Sequence, residues 1–311
     1  MRSPLKELSR KCEVLARHQG FRIAPVRTAT RLISWKVRSF LRKAAIVELP
    51  PWHVRMYLPP IWRGIGKFTF VFRENYEPEV NYLGRVLTAG KTFIDVGAAF
   101  GIYTLVASKL VGESGRVIAL EPTAQSLVVL RRNIALNRLT NVVVLPVAAS
   151  LTKGKARLYH GPEPGSNSLG EGPSCGGSSE EVDTESLDKL LEHAGVDWVD
   201  LIKMDVEGAE ELVLHGANRV VTSMRPVVIF EVYPEAALRL GLSASGAWEF
   251  LAALGYEFFD VGRSGAISPI KFPPPSGNVI AVYKIMNGKP QAPANADTPG
   301  THGKNVSGDA R

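Results

Sequence analysis

Residues 92–108 read TFIDVGAAFGIYTLVAS, and this stretch decides the fold. An apolar run that ends at Val96 meets a turn of small residues from Gly97 to Gly101, and a helix-like pattern follows. A strand, a glycine-rich turn and a helix in this order form the opening unit of an open α/β sheet, which holds its ligand at that turn. Asp95, near the end of the predicted strand, is the first indication of which ligand.

Strands and helices alternate after this unit. Apolar runs predict strands at 92–96, 116–120, 142–145, 156–159, 199–206, 227–232, 256–261 and 278–284. Amphipathic runs predict helices at 77–87, 100–110, 124–137, 186–194, from about 209, and at 236–254 with a break at Gly241. The alternation predicts a mostly parallel sheet with helices on both faces. The last two strands, which a short Gly/Pro-rich loop joins, are predicted to be antiparallel neighbours.

Composition divides the chain into four parts. These are a basic N-terminal extension (1–45), a cover segment packed on the core (46–90), the α/β domain (91–286) and a tail predicted to be disordered (287–311). Within the cover, 54–57 and 68–72 are predicted to be short strands of a hairpin. A turn-forming loop at 161–179 interrupts the domain and is predicted to be mobile.

The net charge of +7 is unevenly distributed. Residues 1–45 hold twelve Lys and Arg but only two Glu, so this segment carries +10 and the remainder of the chain −3. Such a segment can meet nucleic acid, an anionic membrane surface or an acidic partner, or it can be a solvated extension without a ligand. Because no RNA-binding module accompanies it, nucleic acid is not favoured, and peripheral contact with an anionic membrane stays open.

The sequence shows no sign of a membrane span or of export. There is no run of about 18 apolar residues, and the charged N-terminus does not resemble a secretory signal. The two cysteines, Cys12 and Cys175, form no disulfide or zinc pattern. We therefore expect a cytoplasmic location.

The turn after Asp95 distinguishes two classes of cofactor. A dinucleotide site needs Gly-x-Gly-x-x-Gly, because backbone amides must approach a pyrophosphate. Here the glycines are four residues apart, with Ala98 and Ala99 between them. An acid just before the turn repels a pyrophosphate but suits S-adenosylmethionine, which carries an ammonium and a sulfonium. The pattern favours S-adenosylmethionine, with a dinucleotide or a turn without cofactor as alternatives.

Glu121 and Pro122 follow the second strand of the domain. An acid at this place accepts hydrogen bonds from the two ribose hydroxyls of a bound nucleoside. Because NAD and S-adenosylmethionine share that ribose, Glu121 indicates a nucleoside without naming its type. A surface Glu at a strand end, without a ligand, is the simpler alternative.

A second charged cluster lies in LIKMDVEGAE, residues 201–210. Period two places Lys203 and Asp205 on one face of a strand, and Asp205, Glu207 and Glu210 come together at the turn that follows. Asp205 is predicted to accept the proton of an attacking hydroxyl. Lys203 would stabilise its ionised form or hold the oxygen.

Two other roles are open for these carboxylates. Asp205, Glu207 and Glu231 can hold a divalent cation that activates the hydroxyl. Glu207 and Glu210 can instead stabilise the next helix through its dipole. The sequence therefore leaves the need for a metal ion open.

Four features together resemble the FkbM family of S-adenosylmethionine-dependent methyltransferases. They are DVGAAFGIYT, the EP pair, Asn133 and Asn137 on the following helix, and LIKMDVEGAE. The resemblance covers about residues 77–261, and KMDVEGAE is its most specific part. It implies a Rossmann-like class I methyltransferase fold with seven strands and a final reversed hairpin, and O-methylation of hydroxyls on sugars or secondary metabolites.

The resemblance also suggests roles for individual residues. The cofactor-binding set is Asp95, Gly97, Ala98, Gly101, Glu121 and Pro122, and the set near the reacting methyl is Lys203, Asp205, Glu207 and Glu210. Asn167 and Ser168 stand where the family often has a polar pair before the acceptor site, and Glu210 and Glu231 are further candidates for acceptor contact. Ala99 departs from the pattern, because the family usually has Asn there and a side-chain hydrogen bond is then missing.

The predicted function is methyl transfer to a hydroxyl of a sugar, glycolipid or secondary metabolite. The expected partner is accordingly a small-molecule or glycan acceptor. Two alternatives remain open. One is ribose 2′-O-methylation of RNA, which the basic extension and the Lys203–Asp205 pair would serve. The other is a protein that binds S-adenosylmethionine but acts without catalysis, as a partner of other proteins.

Overall fold

The structure is a computed structural model that describes residues 19–61, 64–161, 166–171 and 178–284. The tail predicted to be disordered, both cysteines and the first part of the basic extension lie outside the described residues. So do 162–165 and 172–177 of the loop predicted to be mobile. Among the described residues, no helix has the length and apolar character needed to cross a bilayer.

The described residues form thirteen strands and ten α-helices, numbered here in chain order. The strands are β1 (Ala45–Leu49), β2 (Val54–Leu58), β3 (Thr92–Val96), β4 (Arg116–Leu120), β5 (Val142–Leu145), β6 (Ala148–Ser150), β7 (Gly154–Tyr159), β8 (Ser179–Ser186), β9 (Leu201–Met204), β10 (Val227–Val232), β11 (Tyr256–Val261), β12 (Ile267–Ile270) and β13 (Gly277–Tyr283). The helices are α1 (Gln19–Ile23), α2 (Pro25–Phe40), α3 (Ile65–Phe72), α4 (Pro78–Val86), α5 (Ile102–Val111), α6 (Ala124–Leu136), α7 (Leu187–His193), α8 (Glu210–Gly216), α9 (Pro234–Arg239) and α10 (Gly246–Ala253).

The core of the described fold is an eight-stranded sheet in the order β12-β11-β13-β10-β9-β3-β4-β5. Strands β10, β9, β3, β4 and β5 run parallel to one another. Strand β13 runs antiparallel to β11, as predicted, and it also pairs antiparallel with β10. The predicted α/β class, with a mostly parallel sheet and a reversed strand near its end, is confirmed. The structure adds β12 to the seven expected strands, paired antiparallel with β11 at the edge.

The central strands give one face of the sheet two chemically different layers. Its apolar layer consists of Phe93, Leu201, Ile229 and Ile280, all fully buried. Two residues further toward the carboxyl ends of the parallel strands, the same face carries Asp95, Lys203 and Glu231. Period-two alternation therefore places a polar layer at the edge of the sheet where ligands bind.

The cover segment confirms one predicted strand and corrects another. Strand β2 forms as expected, but its hairpin partner is β1. The prediction of a strand at 68–72 was wrong, because these residues lie in α3. An aromatic and β-branched run fits a strand or a buried helix, and tertiary packing decides between them. In α3 the run buries Phe70, Val71 and Phe72, with the ring of Phe70 4.9 Å from that of Trp35.

Two asparagines one turn apart, Asn133 on α6 and Asn137 directly after it, hold the cover on the α/β domain. The Oδ1 atom of Asn133 accepts the N–H of Tyr57 at 2.6 Å, and its Nδ2 donates to the carbonyl of Phe100 at 2.9 Å. Asn137 accepts the N–H of Arg55 at 2.8 Å and donates to the carbonyl of Arg55 at 2.6 Å. The two side-chain amides thus bond the backbone of β2 as a neighbouring strand would. Asn133 also links β2 to the turn after β3.

We expect Asn133→Ala to lower the free energy of unfolding by about 1–3 kcal/mol, because buried backbone groups lose their partner. Urea denaturation followed by circular dichroism measures the change. Asn137→Ala is the matched control and should cost less, since its contacts with Arg55 are exposed to solvent. A loss for Asn133→Ala no larger than that of the control would contradict the anchoring role.

Candidate active site

Two clefts open side by side at the carboxyl edge of the parallel strands. The apolar cleft, which encloses about 590 Å³, lies beyond β4, and the polar cleft, about 910 Å³, lies over the polar layer of the sheet. Gly97, Ala99 and Asp205 line both clefts. Because ligands of open α/β sheets bind at this edge, we treat the two clefts as one bipartite site with these three residues at its junction.

Gly97 brings the turn after β3 against Asp205. Its φ is +80°, and a Cβ atom at this position would lie 2.1 Å from the backbone oxygen of Asp205. Asp205 donates its own N–H to the carbonyl of Val96 at 3.0 Å. Gly101 directly precedes α5 with φ +90°, and a Cβ there would clash only with the end of the Leu130 side chain, at 2.5 Å. The backbone contact therefore requires glycine at 97, and the left-handed backbone favours glycine at 101, in both cases independently of any ligand.

A single buried carboxylate, that of Glu121, stands in the wall of the apolar cleft beside Pro122. Its Oε2 accepts the N–H of Ala99 at 2.8 Å, and its Oε1 accepts the N–H of Thr123 at 2.9 Å and the Thr123 hydroxyl. Burial raises the pKa of Glu121. The other walls are mostly apolar and include Leu120, Val147, Leu158, Leu169 and Val206.

Ala99 stands in a backbone conformation that favours Asn over Ala. Its φ is +48°, in the left-handed region that Asn enters more readily than Ala. The conformation aims the Ala99 N–H at Glu121. Ala98, beside it, is buried against Ala119 and Leu130. Ala at position 99 therefore carries backbone strain.

Lys203 is the electrostatic centre of the polar cleft. Its side chain is only 2% exposed, and its Nζ lies 3.1 Å from Asp205 Oδ2 and 4.9 Å from the centre of the Tyr103 ring. Burial by itself lowers the pKa of Lys203, but the carboxylates of Asp205, Glu77 and Asp95 outweigh it and raise the pKa to about 12. Lys203 is therefore a permanent positive charge.

Three further carboxyl groups line the polar cleft. Burial raises the pKa of Glu77 to about 7. Burial together with the charge of Asp205 raises the pKa of Glu207 to about 8 and that of Glu231 to about 9. Among the described residues, the Oε2 atoms of Glu77 and Glu231 are buried without a hydrogen-bond partner. Near neutral pH these groups offer a ligand both donors and acceptors.

Sequence reasoning missed three residues of the polar cleft: Glu77, Tyr103 and Asn278. Glu77 directly precedes α4, Tyr103 lies in the first turn of α5, and Asn278 stands opposite Glu231 in the sheet. Only Glu77 has a local signal, an acid before Pro78 at a helix start. Tyr103 and Asn278 are single residues within apolar patterns, so nothing near them in the chain marks them.

Asp95 lies beneath the clefts rather than in their walls. It is 2% exposed, and its carboxylate accepts the hydroxyl of Thr104 at 2.5 Å. Burial raises its pKa to about 6. Asp95 is also the cross-strand neighbour of Lys203. The structure therefore gives Asp95 a part in joining α5 to β3 and in balancing Lys203, while its direct contact with a cofactor stays a prediction.

Glu210 and the Asn167–Ser168 pair do not line the polar cleft. Glu210 is buried, and its Oε1 accepts the N–H of Val206 at 3.0 Å, which closes the turn before α8. Asn167 lines the apolar cleft instead. The Ser168 hydroxyl donates to the carbonyl of Glu207 at 3.0 Å. Acceptor contact by these three residues stays a prediction.

The carboxylates predicted to hold a divalent cation, those of Asp205, Glu207 and Glu231, do lie in one cleft. Among the described residues, however, no three Asp, Glu, His or Cys side chains form a group that could hold a metal ion. As placed, these three carboxylates do not form a ligand set.

We expect Glu231→Gln to flatten the pH dependence of stability. The carboxyl of Glu231 has a pKa of about 9 when folded, against 4.5 for an ordinary Glu. Its contribution to stability is therefore fully present below pH 4.5 and is lost as the pH rises through about 9. Gln has no such proton to lose. Urea denaturation across this range measures the slope, with the exposed Glu113→Gln as control. Parallel curves for Glu231→Gln and wild type would contradict the buried, protonated state.

Several solved methyltransferase structures are similar to the chain at low identity. The methyltransferase FkbM from Methylobacillus flagellatus is 17% identical with a TM-score of 0.42, over 70% of this chain and 53% of that one. A precorrin-6y C5,15-methyltransferase from Geobacter metallireducens is 18% identical with a TM-score of 0.40, over 67% of this chain and 87% of that one. An O-methyltransferase from Bacillus cereus is also 18% identical with a TM-score of 0.39, over 66% of this chain and 77% of that one. The chain thus spans about half the length of the Methylobacillus protein, and TM-scores this low carry no argument about function.

The family assignment depends on sequence instead. No curated protein matches the chain, but the family model of the methyltransferase FkbM domain matches residues 95–258. The match begins at Asp95 and includes Glu121 and the cluster around Lys203, which the two clefts bring together. Because it spans more than half of the chain, the protein belongs to the FkbM family of S-adenosylmethionine-dependent methyltransferases.

Proposed function

We propose that the protein transfers the methyl group of S-adenosylmethionine to a hydroxyl of a small-molecule or glycan acceptor. The observation that carries this proposal is that the apolar and polar clefts meet at Gly97, Ala99 and Asp205. A donor in one cleft and an acceptor in the other have only this junction between them. Direct transfer needs such proximity and an in-line approach.

The apolar cleft suits the nucleoside of the donor. Leu120, Val147 and Leu158 offer an apolar wall for the base, and Glu121 stands at the strand end where ribose hydroxyls are bound. The oxygens of Glu121 already accept two protein N–H groups and the Thr123 hydroxyl, but a carboxylate has about four lone-pair sites, so Oε2 can accept one further hydrogen bond. When bound, the donor supplies a methyl group on a positively charged sulfur, a charge that the nearby carboxylate of Asp205 favours.

Asp205 is the proposed acceptor of the proton. A hydroxyl that enters through the polar cleft donates a hydrogen bond to Asp205, and its oxygen attacks the methyl carbon while the carbon–sulfur bond breaks. The proton passes to the Asp205 carboxylate, and a methyl ether and S-adenosylhomocysteine are released. Lys203, 3.1 Å from Oδ2, holds this carboxylate in position. General-base assistance of this kind typically contributes about 10²–10⁴-fold in rate.

The polar cleft favours an acceptor with several hydroxyls, such as a sugar. Glu77, Glu207 and Glu231 can donate or accept hydrogen bonds near neutral pH, because their pKa values are raised to about 7, 8 and 9. Phe68 and Tyr76 also line the cleft, with stacked rings 5.7 Å apart. An aromatic surface beside convergent polar groups matches a ring with one apolar face and polar edges.

We expect Glu121→Gln and Asp205→Asn to separate donor binding from catalysis. Loss of the charged acceptor at Glu121 should weaken binding of S-adenosylhomocysteine by about tenfold or more. Asp205→Asn should keep that affinity within a few-fold and lower the rate of methyl transfer by about 100-fold or more. Calorimetry measures the first, and transfer to a panel of sugars and hydroxylated metabolites, scored by mass spectrometry, measures the second.

Each of these two expectations can be contradicted by a specific result. The surface variant Glu113→Gln is the control for both assays. Wild-type affinity for S-adenosylhomocysteine in Glu121→Gln would contradict donor binding in the apolar cleft. Wild-type turnover in Asp205→Asn would contradict the role of Asp205 as the proton acceptor. Donor binding without transfer to any acceptor of the panel would favour the non-catalytic alternative.

Three finer points stay predictions. A divalent cation is tested by dialysis against EDTA. Activity that survives the dialysis supports Asp205 as the proton acceptor without a metal ion. Activity that is lost and that Mg²⁺ restores supports the cation. RNA as the acceptor is tested by binding of RNA to the full chain, which high salt should weaken. A cytoplasmic location is tested by fractionation of the cells that make the protein.

A further inference from the structure

Helix α2 carries an apolar stripe on its outer side. Val26, Ile33 and Phe40 are spaced by seven residues, which is about two helical turns, and are 77%, 65% and 86% exposed. Val37 lies on the same side of α2, and Ile23 of α1 and Leu41 flank α2 in the chain; these three side chains are each at least half exposed. Six of the eleven exposed large hydrophobic side chains among the described residues thus fall within residues 23–41, a concentration typical of an interaction surface.

The inner side of α2 is already packed on the protein. Trp35 is fully buried, its ring is 4.9 Å from that of Phe70, and its Nε1 donates to the carbonyl of Ile61 at 3.1 Å. Arg31 donates to the carbonyl of Val71 at 3.3 Å. These contacts fix the rotation of the helix about its axis, so the stripe is held outward.

Basic side chains border the stripe. At about 100° per residue, Arg27 falls on one side of it and Lys36 on the other, and both are exposed. Arg22, Arg42 and Lys43 are exposed near its ends. No Asp or Glu occurs from residue 14 to residue 47, although the chain after residue 45 carries a net −3. Positive charge is therefore concentrated around the exposed apolar stripe of α2.

We propose that this stripe docks the protein on the surface of an anionic phospholipid bilayer, with α2 lying in the plane of the interface. Apolar side chains then enter the boundary of the acyl chains, while Lys and Arg extend their charged ends to the lipid phosphates. A second copy of the chain is a poorer partner, because a two-fold contact would bring the same basic borders face to face.

The docking surface lies outside the residues that line the polar cleft. Helix α2 packs on α3 through its inner side, and Ile65 and Phe68 of α3 line that cleft. Docking itself depends only on α2 and its borders, so the test below is independent of the proposed methyl transfer.

The test is sedimentation of the full chain with vesicles of phosphatidylglycerol and, separately, of phosphatidylcholine. We expect wild type to bind phosphatidylglycerol at least about tenfold more tightly, and high salt to weaken that binding. The double variant Ile33→Glu/Phe40→Glu should lose about tenfold or more, and so should Arg27→Ala/Lys36→Ala. Val128→Glu is the matched control, because Val128 is 69% exposed on α6, away from the stripe.

Circular dichroism and urea denaturation of every variant distinguish lost docking from lost folding. An unchanged unfolding transition in a variant that no longer sediments supports the proposal. Wild type that binds neither kind of vesicle overturns it, as does undiminished vesicle binding by Ile33→Glu/Phe40→Glu. Light scattering that shows a wild-type dimer, converted by Ile33→Glu/Phe40→Glu to a monomer, would assign the stripe to self-association instead.

Discussion

The polar half of the site depends on the buried ammonium of Lys203. Asp205, Glu77 and Asp95 surround it, and burial raises the pKa of Glu77 and of Asp95, an effect that the ammonium opposes. The dependence is mutual, since these carboxylates raise the pKa of Lys203 to about 12 against the effect of burial. Removing one member of such a group leaves a buried charge without compensation, which costs more than the pair itself contributes.

The sheet accommodates this cluster because its apolar core residues and its charged residues lie in consecutive layers. Phe93 and Leu201 fill the apolar layer, and Asp95 and Lys203 follow one alternation later on the same strands. The hydrophobic core therefore continues up to the site without interruption. Gly97 completes the arrangement, because the absence of its side chain lets the backbone of Asp205 approach the turn after β3. The turn after β3 and Asp205 then form a wall that the apolar and polar clefts share.

Local pattern predicted the α/β domain well and the cover poorly. The strands of the central sheet from residue 92 onward, except β12, were predicted within a few residues, since alternation is a property of neighbouring residues. Residues 68–72 form a helix because Trp35 packs on them, a contact that the run itself does not encode. Lys203 and Asp205 were identified as a pair because they lie two apart near one strand end. Their partner Glu77 was not, because it belongs to the cover.

The sequence by itself determined the order of strands and helices, the turn at Gly97 and the acids at the strand ends, since each depends on residues that are adjacent in the chain. Only the tertiary structure decided that two clefts share one junction, that Glu77 and Asn278 face Lys203's cleft, and that Asn167 lines the apolar one. These features depend on register between distant strands and on the path of the cover, and neither is encoded by local periodicity.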